Sequence, residues 1–178
     1  KLNNMKIIFL FFIFLLSVLG YSQCDNGTNY YPSSIYTPTI GTWGYASTCN
    51  WAGEVIQVNI TSGDTYQFST CAGNGGVQAS YDTQITLRDG SGALLAYNDD
   101  FAGCSGFTSY LDWVATYTGV LYVHLSEYYC ASNFVCTQVM IHRKEPVGLP
   151  VELLFFNGEK KEGLNLIEWA TASEYNSD

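Results

Sequence analysis

The chain has 178 residues, of which 16 are acidic and 7 are basic, and its formal net charge is −9. A chain this acidic offers no basic patch to neutralise phosphates, so the composition argues against a nucleic-acid-binding protein. The same balance is compatible with a soluble exported protein and with a calcium-binding one.

The first 22 residues have the pattern of a secretory signal peptide. Lys6 supplies a positive charge, residues 7–16 form an unbroken apolar run, and Gly20 and Ser22 provide small residues at cleavage-site spacing. The apolar run is too short to span a bilayer, and no later segment approaches its length. We therefore predict a cleaved signal at residues 1–22, a secreted or cell-surface protein, and no membrane span after cleavage.

Residues 23–144 contain short runs in which apolar and polar residues alternate, and turn residues separate these runs. This pattern predicts β-strands. The runs are 55–60, 66–69, 85–88, 94–97, 111–114, 119–125 and 135–141. Run 119–125 is apolar on both faces, which predicts a central strand. Short strands at this spacing predict an all-β fold, an antiparallel β-sandwich of jelly-roll-like type.

A second unit is predicted after this sandwich. Residues 145–150 contain two prolines that interrupt strand pairing, so we interpret them as a linker. Residues 151–156 and 164–170 are two further strand candidates, with residues 160–161 in the turn between them. Two strands cannot bury a core of their own, so residues 151–178 are interpreted as the truncated start of a second β domain.

Six cysteines follow the predicted signal, and an even number in an exported chain predicts disulfide bonds. They are Cys24, Cys49, Cys71, Cys104, Cys130 and Cys136. The sequence alone leaves the pairing open. The arrangement that we expect is a local Cys130–Cys136 bridge together with Cys71–Cys104 and Cys24–Cys49. A zinc site is the alternative, but the sequence has no C-x-x-C motif and no nearby pair of histidines.

Residues from about 40 to 143 resemble the bacterial pre-peptidase C-terminal (PPC-like) β-sandwich modules of secreted proteins. The resemblance is carried by GDTYQFSTC (63–71), YDTQITLRDGSGALLAYNDD (81–100), CSGFTSYLDWVA (104–115) and YTGVLYVHL (117–125). Residues 149–178 resemble the start of the fibronectin type III-like module that often precedes a type IX secretion sorting domain, chiefly through WATASEYN (169–176).

The resemblance implies a noncatalytic role, because such modules are appendages of exported peptidases, other hydrolases and adhesins. Some relatives bind calcium, and collagenase-associated ones bind collagen. We therefore expect a binding, adhesion or targeting module of a larger secreted protein, not an enzyme. One alternative is the accessory domain of a secreted peptidase or other hydrolase whose catalytic domain lies outside this chain. Another alternative is a structural spacer.

Residues 89–92, Asp-Gly-Ser-Gly, are a strong hairpin signal. A two- or four-residue turn there places Leu95 opposite Thr86 and Tyr97 opposite Gln84. A three-residue loop shifts this register by one residue.

The same register brings acidic residues together at the open end of the hairpin. Asp82 falls opposite Asp99, so the predicted cluster contains Asp82, Asn98, Asp99 and Asp100. Carboxylates that converge repel one another, and calcium, which takes six to eight oxygen ligands, is a natural compensating ion. The alternative is that these side chains accept backbone N–H bonds and shape turns.

A catalytic interpretation is weaker. A paired-carboxylate glycosidase needs two acids that flank a cleft, whereas adjacent residues such as Asp99 and Asp100 point to opposite faces of a strand. His124 and His142 lie in predicted strands and match no catalytic motif.

Exposed aromatic side chains are the candidate ligand-binding groups. Tyr128 and Tyr129 flank Cys130 in a loop that we expect a disulfide to hold. Aromatic rings on a rigid scaffold stack well on sugar rings and peptide surfaces. We therefore predict that an extracellular polysaccharide or protein surface is the partner.

Overall fold

The structure, a computed structural model, describes residues 23–24, 27–145 and 153–171. The predicted signal peptide and residues 146–150 of the predicted linker lie outside these residues. The chain divides into two compact units with the boundary between Glu145 and Pro146. In the described part of the chain, no helix has the length and apolar character to span a bilayer.

The first unit is built from short strands, as the alternating pattern predicts. In chain order they are β1 (Asn29–Tyr30), β2 (Trp43–Tyr45), β3 (Glu54–Ile60), β4 (Thr65–Ser69), β5 (Thr83–Arg88), β6 (Leu94–Asn98), β7 (Tyr110–Val114), β8 (Gly119–Glu127) and β9 (Met140–Arg143). One sheet has the order β1-β3-β8-β5-β6 and the other has the order β2-β9-β4-β7. Apart from the parallel β1–β3 pair, the strand pairs of both sheets are antiparallel. The predicted all-β sandwich is confirmed.

The core lies between the two sheets and is formed by the inward-facing residues of each strand. Tyr66 and Phe68 of β4 and Ile85 and Leu87 of β5 are completely buried, as their alternation with polar neighbours predicts. β8 lies between β3 and β5, so the prediction of a central strand at 119–125 is confirmed. In the other sheet β9 lies between β2 and β4; it begins at Met140 and is shorter than the predicted run 135–141.

The N-terminal segment covers part of the outer face of the five-stranded sheet. A Cβ on Gly27 would lie 2.7 Å from Cγ2 of Val55, so the chain passes very close to β3. Arg88 donates to the backbone oxygen of Gln23. This cover explains why Thr86, on the outward-facing side of β5, is completely buried although alternation alone predicts exposure.

The expected β5–β6 register is wrong by two residues. Tyr97 lies opposite Thr86 rather than Gln84, and Leu95 falls at a bulge between the pairs Leu87–Ala96 and Arg88–Leu94. The turn is the physical reason. The connection runs through five residues, 89–93, because the Asp89 carboxylate accepts bonds from the N–H groups of Ser91 and Ala93.

Three disulfide bonds are present, and one of the three expected pairings is confirmed. Cys71 is bonded to Cys104, with a Cα–Cα distance of 5.5 Å. The expected Cys130–Cys136 and Cys24–Cys49 pairings are wrong. The structure pairs Cys24 with Cys130 and Cys49 with Cys136, and the Cα atoms are 5.0 and 4.4 Å apart.

Packing explains the exchanged partners. The N-terminal segment lies against the five-stranded sheet, so Cys24 meets the turn that follows β8, where Cys130 lies. Asn50 and Thr137 exchange backbone hydrogen bonds of 2.9 Å in both directions, and this places their neighbours Cys49 and Cys136 side by side. Both pairings join segments that are distant in sequence.

The second unit contains one antiparallel hairpin, β10 (Leu153–Lys161) and β11 (Leu164–Thr171). Both strands were expected, but the turn lies at Glu162 and Gly163 rather than at residues 160–161. The φ angles of Glu162 and Gly163 are 52° and 85°. Two positive φ values in a row are typical of the tight two-residue hairpin turn, whose twist matches that of the strands.

Candidate cation site and aromatic loop

Three acidic side chains meet at one end of the five-stranded sheet. Carboxylate oxygens of Asp82, Asp99 and Asp100 all lie within 4.8 Å of one another. Asp82 directly precedes β5, and the other two directly follow β6. In a pair of neighbouring antiparallel strands, the start of one strand and the end of the next lie at the same end of the sheet. The acidic side chains therefore converge as expected, although the register that predicted it was wrong.

Asn98, the fourth expected member of the cluster, is bonded to the backbone. Its Oδ1 accepts a hydrogen bond of 3.1 Å from the N–H of Tyr110. Asn98 is the last residue of β6, so the strand alternation expected for Asp99 and Asp100 does not apply. Beyond the strand end, both carboxylates can turn toward Asp82. Asn98 thus accepts a backbone N–H bond, as considered for it, but from the start of β7 and not within a local turn, and the two acids do not point apart.

Two oxygens of the cluster have neither an ion-pair partner nor a hydrogen-bond donor among the described residues. Oδ1 of Asp82 and Oδ1 of Asp99 are buried and accept no hydrogen bond. In the described residues, the Arg/Lys–carboxylate ion pairs are Arg143–Asp64 and Lys144–Asp112, so neither involves the cluster. Buried polar atoms in folded proteins normally have a partner, and each exception calls for an explanation such as a bound water or ion.

Burial and mutual repulsion raise the pKa values of two of these acids. Partial burial, followed by the charges of Asp100, Asp99 and Glu127, raises the pKa of Asp82 from 3.8 to about 6. Burial and the charge of Asp100 also raise the pKa of Asp99. Both causes oppose ionisation and favour the neutral, protonated form of these two acids.

The loop that carries Asp99 and Asp100 is held in place at several points. Phe101 donates its N–H to the backbone oxygen of Thr108 at 3.2 Å. Gln78 donates to the backbone oxygen of Ser105 at 2.8 Å, and Cys104 is bonded to Cys71. These anchors limit the conformational freedom of the acidic loop.

A buried group of hydroxyls beside the cluster was not foreseen from the sequence. Thr70, Thr83 and Ser109 are all completely buried and bonded to one another, and Ser109 also contacts the backbone at Asp99. These residues lie 13 to 39 positions apart, and isolated Ser and Thr residues are common in loops and strands. No local signal in the sequence distinguishes them.

The predicted ligand-binding tyrosines lie in a short 3-10 turn, Tyr128–Cys130, that directly follows β8. Tyr129 is 80% exposed and Tyr128 is 39% exposed, and their ring centroids are 4.0 Å apart. The N–H of Tyr128 donates to the backbone oxygen of Asp82 at 3.2 Å. The tyrosine turn is therefore attached directly to the backbone of the acidic cluster.

The turn also contains unusual backbone conformations. The φ angle is 58° at both Tyr129 and Cys130. Bulky residues rarely adopt this left-handed conformation, which costs on the order of 1–3 kcal/mol, and such outliers are frequent at binding sites. The fold thus maintains a strained turn that presents Tyr129 to solvent.

Two disulfides clamp the segment that begins with this turn. Cys130 is bonded to Cys24, and Cys136 is bonded to Cys49. Between these anchors Phe134 is 83% exposed, and it packs edge-on against Trp51 at a centroid distance of 5.1 Å. We call residues 128–136 the aromatic loop. The sequence did not single out Phe134, because its exposure depends on the nonlocal disulfides.

Both histidines, His124 and His142, lie in β-strands. His142 hydrogen-bonds through Nδ1 to Oε1 of Gln67 at 2.9 Å, and its ring stacks on Trp43. His124 lies in β8, opposite Val55 of β3. Their positions as strand residues agree with the prediction.

Comparisons of this chain with models of known protein families, with curated proteins and with solved structures find no match. The PPC-like and fibronectin type III-like resemblances therefore stay predictions.

Proposed function

We propose that the first unit is a noncatalytic extracellular binding or adhesion module. Its aromatic loop contacts an extracellular polysaccharide or protein surface. Calcium bound by Asp82, Asp99 and Asp100 stabilises the module. The observation that carries the binding role is the exposure of Tyr129, directly before the disulfide-bonded Cys130, and of Phe134, between the disulfide-bonded Cys130 and Cys136.

Rigidity is what makes these exposed rings suited to binding. Ordering a flexible loop on association costs free energy, and a loop already fixed by covalent bonds avoids most of this cost. Tyr and Phe rings also have few rotatable bonds for the area they present. An exposed ring on a fixed backbone can therefore contribute to affinity more than an equal area on a mobile loop.

The proposal of calcium depends on the two buried carboxylate oxygens without donors. Oδ1 of Asp82 and Oδ1 of Asp99 are each buried and accept no hydrogen bond. Calcium bonds to oxygen at about 2.3–2.6 Å, closer than a water molecule approaches a carboxylate, so the small ion suits a tight cluster. Three carboxylates supply part of the six to eight oxygens that calcium takes, and water can supply others.

Secretion is the part of the proposal supported by the cysteines. All six are paired in three disulfide bonds. Disulfides of this kind persist in oxidising compartments and are rare in the reducing cytosol. The covalent framework therefore agrees with the signal peptide predicted at residues 1–22.

The binding role is tested on an array of glycans and extracellular matrix proteins with wild-type protein and Tyr129→Asn. Asn tolerates the left-handed backbone at this position, so the substitution removes the ring without disturbing the turn. Tyr97→Asn on β6 is the matched control, because Tyr97 is also an exposed tyrosine of the same unit. We expect Tyr129→Asn to weaken binding about tenfold, which corresponds to about 1.4 kcal/mol, and Tyr97→Asn to bind normally. Equal binding by all three proteins, or binding to no array component, contradicts the proposal.

The calcium role is tested by thermal unfolding with millimolar CaCl2 and with chelator. A ligand at 100 times its Kd stabilises a protein by about 2.7 kcal/mol, so the wild-type Tm should rise by several degrees. Asp99→Asn should lose most of this rise. Glu159→Gln, which removes one negative charge from β10 in the second unit, should keep it. Identical melting curves with calcium and with chelator would exclude the site.

A further inference from the structure

A compact hydroxyl cluster connects the two sheets beside the acidic site. Thr83 begins β5 of one sheet, Thr70 follows β4 of the other, and Ser109 precedes β7. Oγ1 of Thr70 and Oγ1 of Thr83 are 2.7 Å apart, and Oγ of Ser109 is 3.3 Å from Oγ1 of Thr83. The N–H of Ser109 points at both threonine oxygens, at 3.1 Å each.

The hydroxyl of Ser109 lies where three backbone carbonyls converge. It is 3.0 Å from the backbone oxygen of Asn98 and 3.0 Å from that of Asp99, and it also contacts the backbone oxygen of Thr83. A hydroxyl has one proton to donate, so the three oxygens share a single donor. Ser109 therefore holds together the end of β6 and the start of β5.

These two backbone segments carry the acids of the candidate site. Thr83 is the residue after Asp82, and Asn98 is the residue before Asp99. The backbone segments that carry the two carboxylates are thus joined by a bond network in which the carboxylate side chains take no part. Because the cluster is completely buried, it can hold this distance without competition from solvent.

We propose that Thr83 and Ser109 are positioning residues that hold Asp82 and Asp99 at the spacing needed to bind calcium. This inference rests on the calcium role proposed above. Removal of a group that orients a metal ligand without touching the metal typically weakens metal affinity by about 10–100-fold.

The experiment measures the calcium Kd by isothermal titration calorimetry with CaCl2 alone. Thr83→Val removes a hydroxyl at nearly constant volume, and Ser109→Ala removes the donor shared by the three carbonyls. Thr86→Val is the matched control, because Thr86 lies on the same strand, is equally buried, and has a hydroxyl without a hydrogen-bond partner. We expect the calcium Kd to rise about tenfold or more in Thr83→Val and Ser109→Ala, and by less than about twofold in Thr86→Val.

Thr83→Ser separates positioning from packing. It keeps the hydroxyl and loses the methyl group, so it should lower the Tm in chelator yet bind calcium with a Kd close to that of the wild type. A lower Tm of Thr83→Val and Ser109→Ala with an unchanged calcium Kd would show that both hydroxyls have a purely structural role. This result would overturn the inference and leave the calcium site itself standing. Absence of calcium binding by the wild-type protein would defeat the proposed site and the inference with it.

Discussion

Replacing Asp82 by Asn should stabilise the protein at neutral pH when calcium is absent. Partial burial of the Asp82 carboxylate, followed by the charges of Asp100, Asp99 and Glu127, raises its pKa from 3.8 to about 6. Because the pKa of Asp82 is higher in the folded than in the unfolded protein, protonation of this side chain stabilises the folded protein, and the contribution is fully present below about pH 4. This contribution is lost as the pH rises through about 6.

The expected gain in stability of Asp82→Asn follows from the pKa shift of Asp82. A shift of about two units corresponds to about 3 kcal/mol, and solvent screening of a partly exposed group reduces this to about 1–2 kcal/mol. Asp82→Asn removes the partly buried charge, and with it the repulsion, at constant shape, so at pH 7.5 with chelator its Tm should exceed that of the wild type by about 3–8 °C. At pH 3.5, where both side chains are neutral, the two melting temperatures should coincide.

Calcium should reverse the order of stability. The wild type gains free energy by binding the ion, whereas Asp82→Asn has one carboxylate fewer and gains less. Asp64→Asn is the contrasting control, because Asp64 is paired with Arg143 and loss of its charge should destabilise the protein at pH 7.5. Calorimetric melting at both pH values checks these outcomes. A lower Tm of Asp82→Asn in chelator at pH 7.5, or a difference that persists unchanged at pH 3.5, would refute the electrostatic reasoning.

Three further variants test the framework of the first unit. Replacing Cys71 and Cys104 together by Ser should lower the free energy of unfolding by about 2–4 kcal/mol in urea titrations, and an unchanged midpoint would show that this bridge constrains nothing. Phe68→Ala should cost about 3–5 kcal/mol because Phe68 is completely buried in the core between the sheets, and a loss below about 1 kcal/mol would contradict its placement there. Tyr66→Phe should cost about 1 kcal/mol, since the Tyr66 hydroxyl accepts a bond of 2.9 Å from the N–H of Thr61, and a stabilised variant would argue against this bond.

Local patterns predicted the strands because one side of each strand packs on the core. The alternation of Tyr66 and Phe68 with polar neighbours reflects the pleat, which depends on nothing outside β4. The β5–β6 register could not be obtained in the same way. It depends on how Asp89 folds its own loop and on the bulge at Leu95, and neither follows from a count of residues.

The acidic cluster was predicted despite the wrong register because its members flank the ends of neighbouring strands. A slip of two residues changes which side chains face each other within the hairpin, but it leaves Asp82 and Asp99 at the same end of the two strands. Disulfide pairing is a different case. The bonds of Cys24 and Cys49 are decided by where the N-terminal segment packs, and this information is spread over the whole unit.

The order of the three disulfides along the chain has a consequence for fragmentation. The Cys24–Cys130 and Cys49–Cys136 bonds interlock, since each has one end inside the span of the other, and Cys71–Cys104 lies within both. Wherever a protease makes one cut between residues 24 and 136, a covalent bond still bridges the cut. A nicked molecule therefore keeps its full mass until a reductant is added, and it can go on carrying its exposed aromatic rings after damage that would split an unbridged chain in two.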